Sequence, residues 1–241
     1  MLRLPRPTPS HPLTPGSLHA EIRVALAQVN RAAGTRTRIL ATLRSALADA
    51  VREGILERNP AAAVSPPRAA VRERVALTAE QARAFLAHVA GDRLYALYLL
   101  AIVTGMRQGE LLGLAWDDIV GDRITVRAAL AALVVRGADG EPLRDAKGRM
   151  IHEYVLVPPK SASGRRTIVL GETAVAALRS HKAHQAADRL ASGPKWRERG
   201  LVFVRADGEA LSASVVTHAF QSHLAAAGLP QMPFHSFRSG A

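Results

Sequence analysis

The run Thr104-Gly105-Met106-Arg107-Gln108-Gly109-Glu110-Leu111-Leu112-Gly113-Leu114-Ala115-Trp116-Asp117-Asp118 decides how this chain is read. An apolar helix, Leu94 to Val103, leads into it and ends at Gly105, and a new helix starts near Arg107. An arginine at a helix start faces the positive end of the helix dipole, so it gains nothing locally. Two explanations stand side by side. Arg107 could serve an anionic ligand that also uses the free backbone N–H groups, or it could pair at i,i+3 with Glu110 on an exposed surface.

Working outward, Thr78 and Gln81 have the spacing of a capping box and open a domain. Helices are expected over 79–90, 92–104 and 107–114. β-like stretches follow at Arg123–Arg127, Leu133–Arg136 and Tyr154–Val157, around a polar, Gly-rich loop at 137–149. Thr167–Leu170 reads as a further strand. Helices resume at 172–191 and 212–227, with a short strand at Leu201–Val204 between them.

Upstream, Ile39, Leu40, Leu43, Leu47, Val51, Ile55 and Leu56 share one face of a helix predicted over Thr35–Glu57. Arg36, Arg38, Arg44 and Arg52 occupy much of the remainder, and Asn59-Pro60 ends the helix. Glu21–Gln28 is a shorter helical pattern, followed by a turn at Asn30–Gly34. Residues 60–76 are rich in Pro, Ala and Arg, which marks a domain boundary. The resulting division is a mobile proline-rich tail at 1–17, a helical domain at 18–62, a linker at 63–76 and a second domain at 77–241. The fold class is mainly α with a small antiparallel β-sheet.

Composition narrows the function. The chain has 241 residues and no cysteine, which excludes disulfides, thiolate metal sites and thiol nucleophiles. No apolar run suggests a membrane span, and the N-terminus does not read as a secretory signal, so the expected location is the cytoplasm, in association with the nucleoid. Thirty-two basic against twenty acidic residues give +12, an excess that suggests a polyanion such as nucleic acid. Arg-rich coding bias would give a similar excess. Aromatics are only 4%, too few for an obvious base-stacking platform, so duplex DNA contacted through phosphates fits better.

Two further motifs join the first. Pro159-Lys160-Ser161-Ala162-Ser163-Gly164-Arg165-Arg166-Thr167 puts a lysine at a hairpin tip and two arginines at the entry to the next strand. A generic basic turn would look much the same. In Pro233-Phe234-His235-Ser236-Phe237-Arg238, a helix start would make His235 and Arg238 neighbours at i,i+3, able to donate to one phosphate.

In this order and spacing, the three motifs resemble the tyrosine recombinase (phage integrase) family over roughly residues 35–241. Arg107, Glu110, Trp116 and Asp118 resemble its first signature box, Lys160 its lysine hairpin, and His235 with Arg238 the opening of its second box. The resemblance implies a helical core-binding domain followed by a catalytic domain. It also implies chemistry in which a tyrosine attacks a DNA phosphodiester without metal or other cofactor. Arg107 and Arg238 match the phosphate-clamping arginines, Lys160 the proton donor to the leaving oxygen, and His235 the histidine that assists proton transfer. Glu110 would orient the arginines behind them. Arg36, Arg38, Arg44, Arg165 and Arg166 are expected to contact DNA.

The departures concern the nucleophile. Tyr95, Tyr98 and Tyr154 are the only tyrosines, and none follows the second box. The expectation is a catalytic domain incomplete at its C-terminus, a shortened core-binding domain, and a protein that binds duplex DNA but does not cleave it. A non-enzymatic competitor of an intact recombinase and a non-functional remnant are the alternatives. The expected partners are duplex DNA and other recombinase protomers on DNA, with no membrane and no small-molecule substrate. His181 and His184 at i,i+3 read as solvated surface, His218 and His223 as not sharing a face, and no metal site is expected.

Overall fold

A computed structural model describes residues 15–29, 31–66, 76–158 and 165–239. Backbone contacts divide the chain into two units, residues 1–73 and 74–241. Most of the expected tail, most of the expected linker and the lysine hairpin tip at 159–164 lie outside the described residues.

The N-terminal unit contains α1 (Pro15–Gln28) and α2 (Ala33–Arg52). Leu26, Leu40, Ala61 and Val64 form its core, with Ile22, Leu43 and Leu47 packed against them. The second helix stops five residues before its expected end. Gly54 takes a left-handed φ of 73°, and the N–H groups of Gly54 and Ile55 turn back to the carbonyls of Val51 and Ala50. Ile55, expected on the apolar face, is therefore exposed. Val64, expected in the linker, is buried in this core instead. Arg44 holds that return: its Nε donates to the Ala61 carbonyl at 3.0 Å, and its Nη2 to the carbonyls of Ala62 and Val64.

The second unit begins with α3 (Ala79–His88), α4 (Tyr95–Thr104) and the five-residue α5 (Gln108–Leu112). Thr78 caps α3 as its spacing predicts: Gln81 N–H donates to its Oγ1 at 3.2 Å, and Thr78 N–H donates to Gln81 Oε1 at 3.0 Å. Strands β1 (Ile119–Val120), β2 (Arg123–Val126) and β5 (Arg166–Val169) form one antiparallel sheet in the order β1-β2-β5. Strands β3 (Ala129–Val134) and β4 (His152–Val157) pair separately, from Ala129 opposite Val157 to Val134 opposite His152. The small sheet expected from sequence is thus two sheets. Helices α6 (Glu172–Ser192) and α7 (Ala213–Ala226) and a 3-10 turn at Phe234–Ser239 complete the unit. Leu201–Val204 makes only isolated bridges to Ala115 and Ala210, although all four residues are buried, so its apolar run reflects burial rather than a strand.

The core of this unit is built on α4, where Leu97, Tyr98 and Leu100 are enclosed. Phe85, Tyr98, Phe220, Phe234 and Phe237 form an aromatic cluster with edge-to-face and tilted ring contacts. Tyr95 and Tyr98 lie in α4 as predicted, Tyr98 fully buried. Among the described residues, no helix is long and apolar enough to cross a membrane.

Gly113 lets α5 approach β3. A Cβ there would stand 2.6 Å from Leu130 N and 2.9 Å from the Ala129 carbonyl carbon, both backbone atoms that cannot swing aside. Gly113→Ala is expected to cost about 2 kcal/mol, measured by urea denaturation.

His181 corrects an expectation. It is not solvated surface but buried, with Nε2 2.8 Å from the Val202 carbonyl and its ring against Phe203. Burial holds its pKa below the usual histidine value, outweighing the hydrogen bond to Val202. The unfolded chain therefore takes up the proton first. Stability from this group is present above pH 6.5 and is lost as pH falls below that value. Thermal midpoints measured from pH 7.5 to 5 should fall, and the fall should be smaller in His181→Gln.

Candidate functional site

The turn between α4 and α5 sets the site. Gly105 closes α4 with a φ of 59°, a left-handed conformation that places Met106 in the core and Arg107 at the N-cap of α5. Gln108 fixes the other side of this turn: its Nε2 donates to the Ala213 carbonyl at 2.9 Å and to Thr217 Oγ1 at 3.2 Å, both in α7.

Glu110 is the centre of the arrangement. Its side chain is only 7% exposed and receives four hydrogen bonds from two arginines. Arg107 N–H reaches Oε2 at 2.9 Å and Arg107 Nη1 reaches Oε1 at 2.8 Å. Arg166 Nη1 reaches Oε1 at 3.3 Å, and Arg166 Nη2 reaches Oε2 at 2.8 Å. Burial alone would raise this carboxyl, but the hydrogen bonds from Arg166 and Arg107 overcome it and hold the pKa at about 2. The carboxylate is permanently charged at neutral pH. The ion pair between Arg107 and Glu110 exists, but its acidic partner is buried rather than on an exposed surface. The Arg107 side chain remains 59% exposed, although its backbone N–H is taken by Glu110.

The rest of the first motif is structural. Trp116 Nε1 donates to Gln185 Oε1 at 2.7 Å, and Gln185 Nε2 continues to the carbonyls of Leu201 and Val202. Asp118 accepts from Ala115 N–H at 3.1 Å and from Arg127 Nη1 at 3.1 Å. Nothing in the sequence pointed to Arg127.

His235 lies in the final 3-10 turn, which packs against α4. Phe234, Ser236 and Phe237 face inward while His235 is exposed. Lys160 and the side chain of Arg238 lie outside the described residues. Arg165 and Arg38 are exposed and Arg36 is half-buried. Two arginines expected to contact DNA also make bonds within the chain. Arg44 donates to carbonyls of its own unit, and Arg166 donates to Glu110, because in each case the tertiary fold brings an acceptor to the guanidinium. Among the described residues, no group of three His, Asp or Glu could hold a metal ion.

The chain has a helical N-terminal region followed by a unit that is mainly helical with small antiparallel sheets, the integrase-like fold. The chain belongs to the phage integrase family, whose model matches residues 76–241. It is 30% identical over 198 residues to a "Tyrosine recombinase XerC-like" protein of Caldanaerobacter subterraneus subsp. tengcongensis, an alignment covering 78% of this chain and 49% of that one. It is 32% identical over 200 residues to an integrase of Streptomyces ambofaciens, covering 78% and 47%. The chain spans about half the length of these curated relatives. Tn1549 transposon integrase in complex with transposon right end DNA has the same fold, with a TM-score of 0.71 at 19% identity, over 95% of this chain and 72% of that one. A lambda integrase dimer bound to a COC' core site gives 0.55 at 22%, over 94% and 55%.

Proposed function

We propose that residues 1–241 bind duplex DNA and hold one backbone phosphate without cleaving it. The observation that carries this reading is a buried glutamate gripping an exposed arginine, in a chain of net charge +12. The guanidinium of Arg107 is planar, permanently charged and pre-oriented, which suits two oxygens of a phosphate. Lys160, His235 and Arg238 are proposed to complete the clamp, as the family resemblance implies. The exposed Arg38 and half-buried Arg36 of α2, and the exposed Arg165 of the second unit, are proposed as further backbone contacts. The helical N-terminal unit is proposed as core-binding, part of the DNA-binding surface.

The absence of cleavage rests on the three tyrosines. Tyr98 is buried, with its hydroxyl raised well above the usual phenol value by desolvation; Tyr95 is in the same helix, and Tyr154 is in β4. None follows the His235–Arg238 turn in sequence, so this stretch of chain has no evident nucleophile. Lambda integrase, which shares the fold, binds a COC' core site as a dimer and a Holliday junction as a tetramer. We extend DNA binding, and assembly with other protomers on DNA, to this chain.

Fluorescence anisotropy with a labelled duplex tests the binding. Affinity is expected to fall about 10³-fold or more between about 50 and 200 mM salt if phosphates dominate. No binding to any duplex at low salt overturns the reading. Incubation with nicked attachment-site DNA followed by a denaturing gel tests cleavage, and a robust covalent adduct would show that a nucleophile is present.

A further inference from the structure

Arg166 was expected to contact DNA, yet both terminal nitrogens of its guanidinium point at a carboxylate 56 residues earlier in the chain. We infer that Arg166 is a positioning residue: through Glu110 it fixes the direction of the Arg107 guanidinium and ties the base of the lysine hairpin to α5. This rests on the reading of Arg107 as a phosphate clamp.

Three observations support it. The first is geometric. Glu110 receives four hydrogen bonds, and Arg166 supplies two of them in a fork, one to each oxygen. A carboxylate held by Arg107 alone could rotate with it. Held also by the planar fork of Arg166, it becomes a fixed anchor against which Arg107 is oriented.

The second is electrostatic. Arg107 is 59% exposed and Arg166 is 32% exposed, so of the two cations that share the Glu110 carboxylate, Arg107 is the one displayed to solvent.

The third is topological. Arg166 is the first residue of β5, paired with Val126, and it directly follows the segment that carries Lys160 and Arg165. A link from this position to α5 joins two of the three motifs. The sheet alone would not do this, because among the described strands β5 pairs with β2 and not with α5 or β3.

The test uses the full 241-residue chain and a short labelled duplex of arbitrary sequence. Arg107→Ala should weaken binding and lower the salt slope by about one. Arg166→Met should weaken binding about fivefold or more in the wild-type background, but less than about twofold when Glu110→Gln is also present, because the two residues act as one unit. Arg166→Lys keeps the charge and loses the fork, so it should behave like Arg166→Met. Thermal unfolding of each variant establishes that it is folded. A second readout needs no DNA: the Glu110 carboxyl, followed by NMR, should titrate near 2 in the wild type and at higher pH in Arg166→Lys.

Wild-type affinity in Arg166→Lys, or an equal loss from Arg166→Met in both backgrounds, makes Arg166 a direct phosphate contact and overturns the inference. An unchanged Glu110 titration in Arg166→Lys overturns it as well. No effect of Arg107→Ala on binding sinks the phosphate clamp alone, since the titration still reports whether Arg166 holds the carboxylate.

Discussion

Glu110→Gln is expected to destabilise the C-terminal unit by about 2–3 kcal/mol at neutral pH, because it leaves two guanidiniums facing a neutral amide in a nearly closed site. Glutamine preserves the shape but offers one acceptor oxygen and turns an N–H₂ group toward cations. The same carboxylate makes the wild type acid-sensitive. Its pKa is depressed from 4.5 to about 2 in the folded state, so its stabilisation is fully present above pH 4.5 and lost as pH falls toward 2. Urea denaturation at pH 7 and pH 3 measures both effects. The variant should be weaker at pH 7, and the gap should narrow at pH 3. Equal stability at pH 7 would mean that the cluster contributes nothing beyond its own desolvation.

Phe234→Ala is expected to cost about 3 kcal/mol, near the lower end for a buried aromatic because a short 3-10 turn can relax partly into the space. Phe234 is 4% exposed, with ring centroids 5.4 Å from Phe220 and 5.5 Å from Phe237. Its loss should also loosen the turn that carries His235. Hydrogen exchange reads this directly at Ser236, whose N–H donates to the Pro233 carbonyl at 2.9 Å. That amide should exchange faster in the variant, whereas Phe234→Leu should retain most of the protection. A loss below about 1 kcal/mol would show that the turn is not held by its aromatic anchors.

Local signals were legible where the physics is local. The Thr78–Gln81 box caps α3 through contacts spanning three residues. The apolar run before Gly105 became the most enclosed helix, and Gly105 ends it in a left-handed conformation open to glycine without a Cβ penalty. The period of Leu40, Leu43 and Leu47 placed them toward one core. Legibility failed where burial imitated another pattern. Leu201–Val204 has the composition of a strand, but it is buried by α6 side chains donating to its carbonyls. His181 looked like surface because its helix is polar on average, and only the packed fold shows that this face is covered.

The three motifs and their order, written in the sequence, were enough to identify the family and to select Arg107, Glu110 and His235. They were enough because backbone turns and short-range spacing carry those signatures. What Arg44, Arg127 and Arg166 bind was decided by tertiary structure alone. An arginine reaches whatever acceptor the fold brings near, and Glu110 meets Arg166 across 56 residues of chain. The opening run left Arg107 between an ion pair and an anion site. The fold shows the ion pair, with the glutamate buried and the Arg107 side chain exposed, which leaves the arginine open to the anion proposed for it.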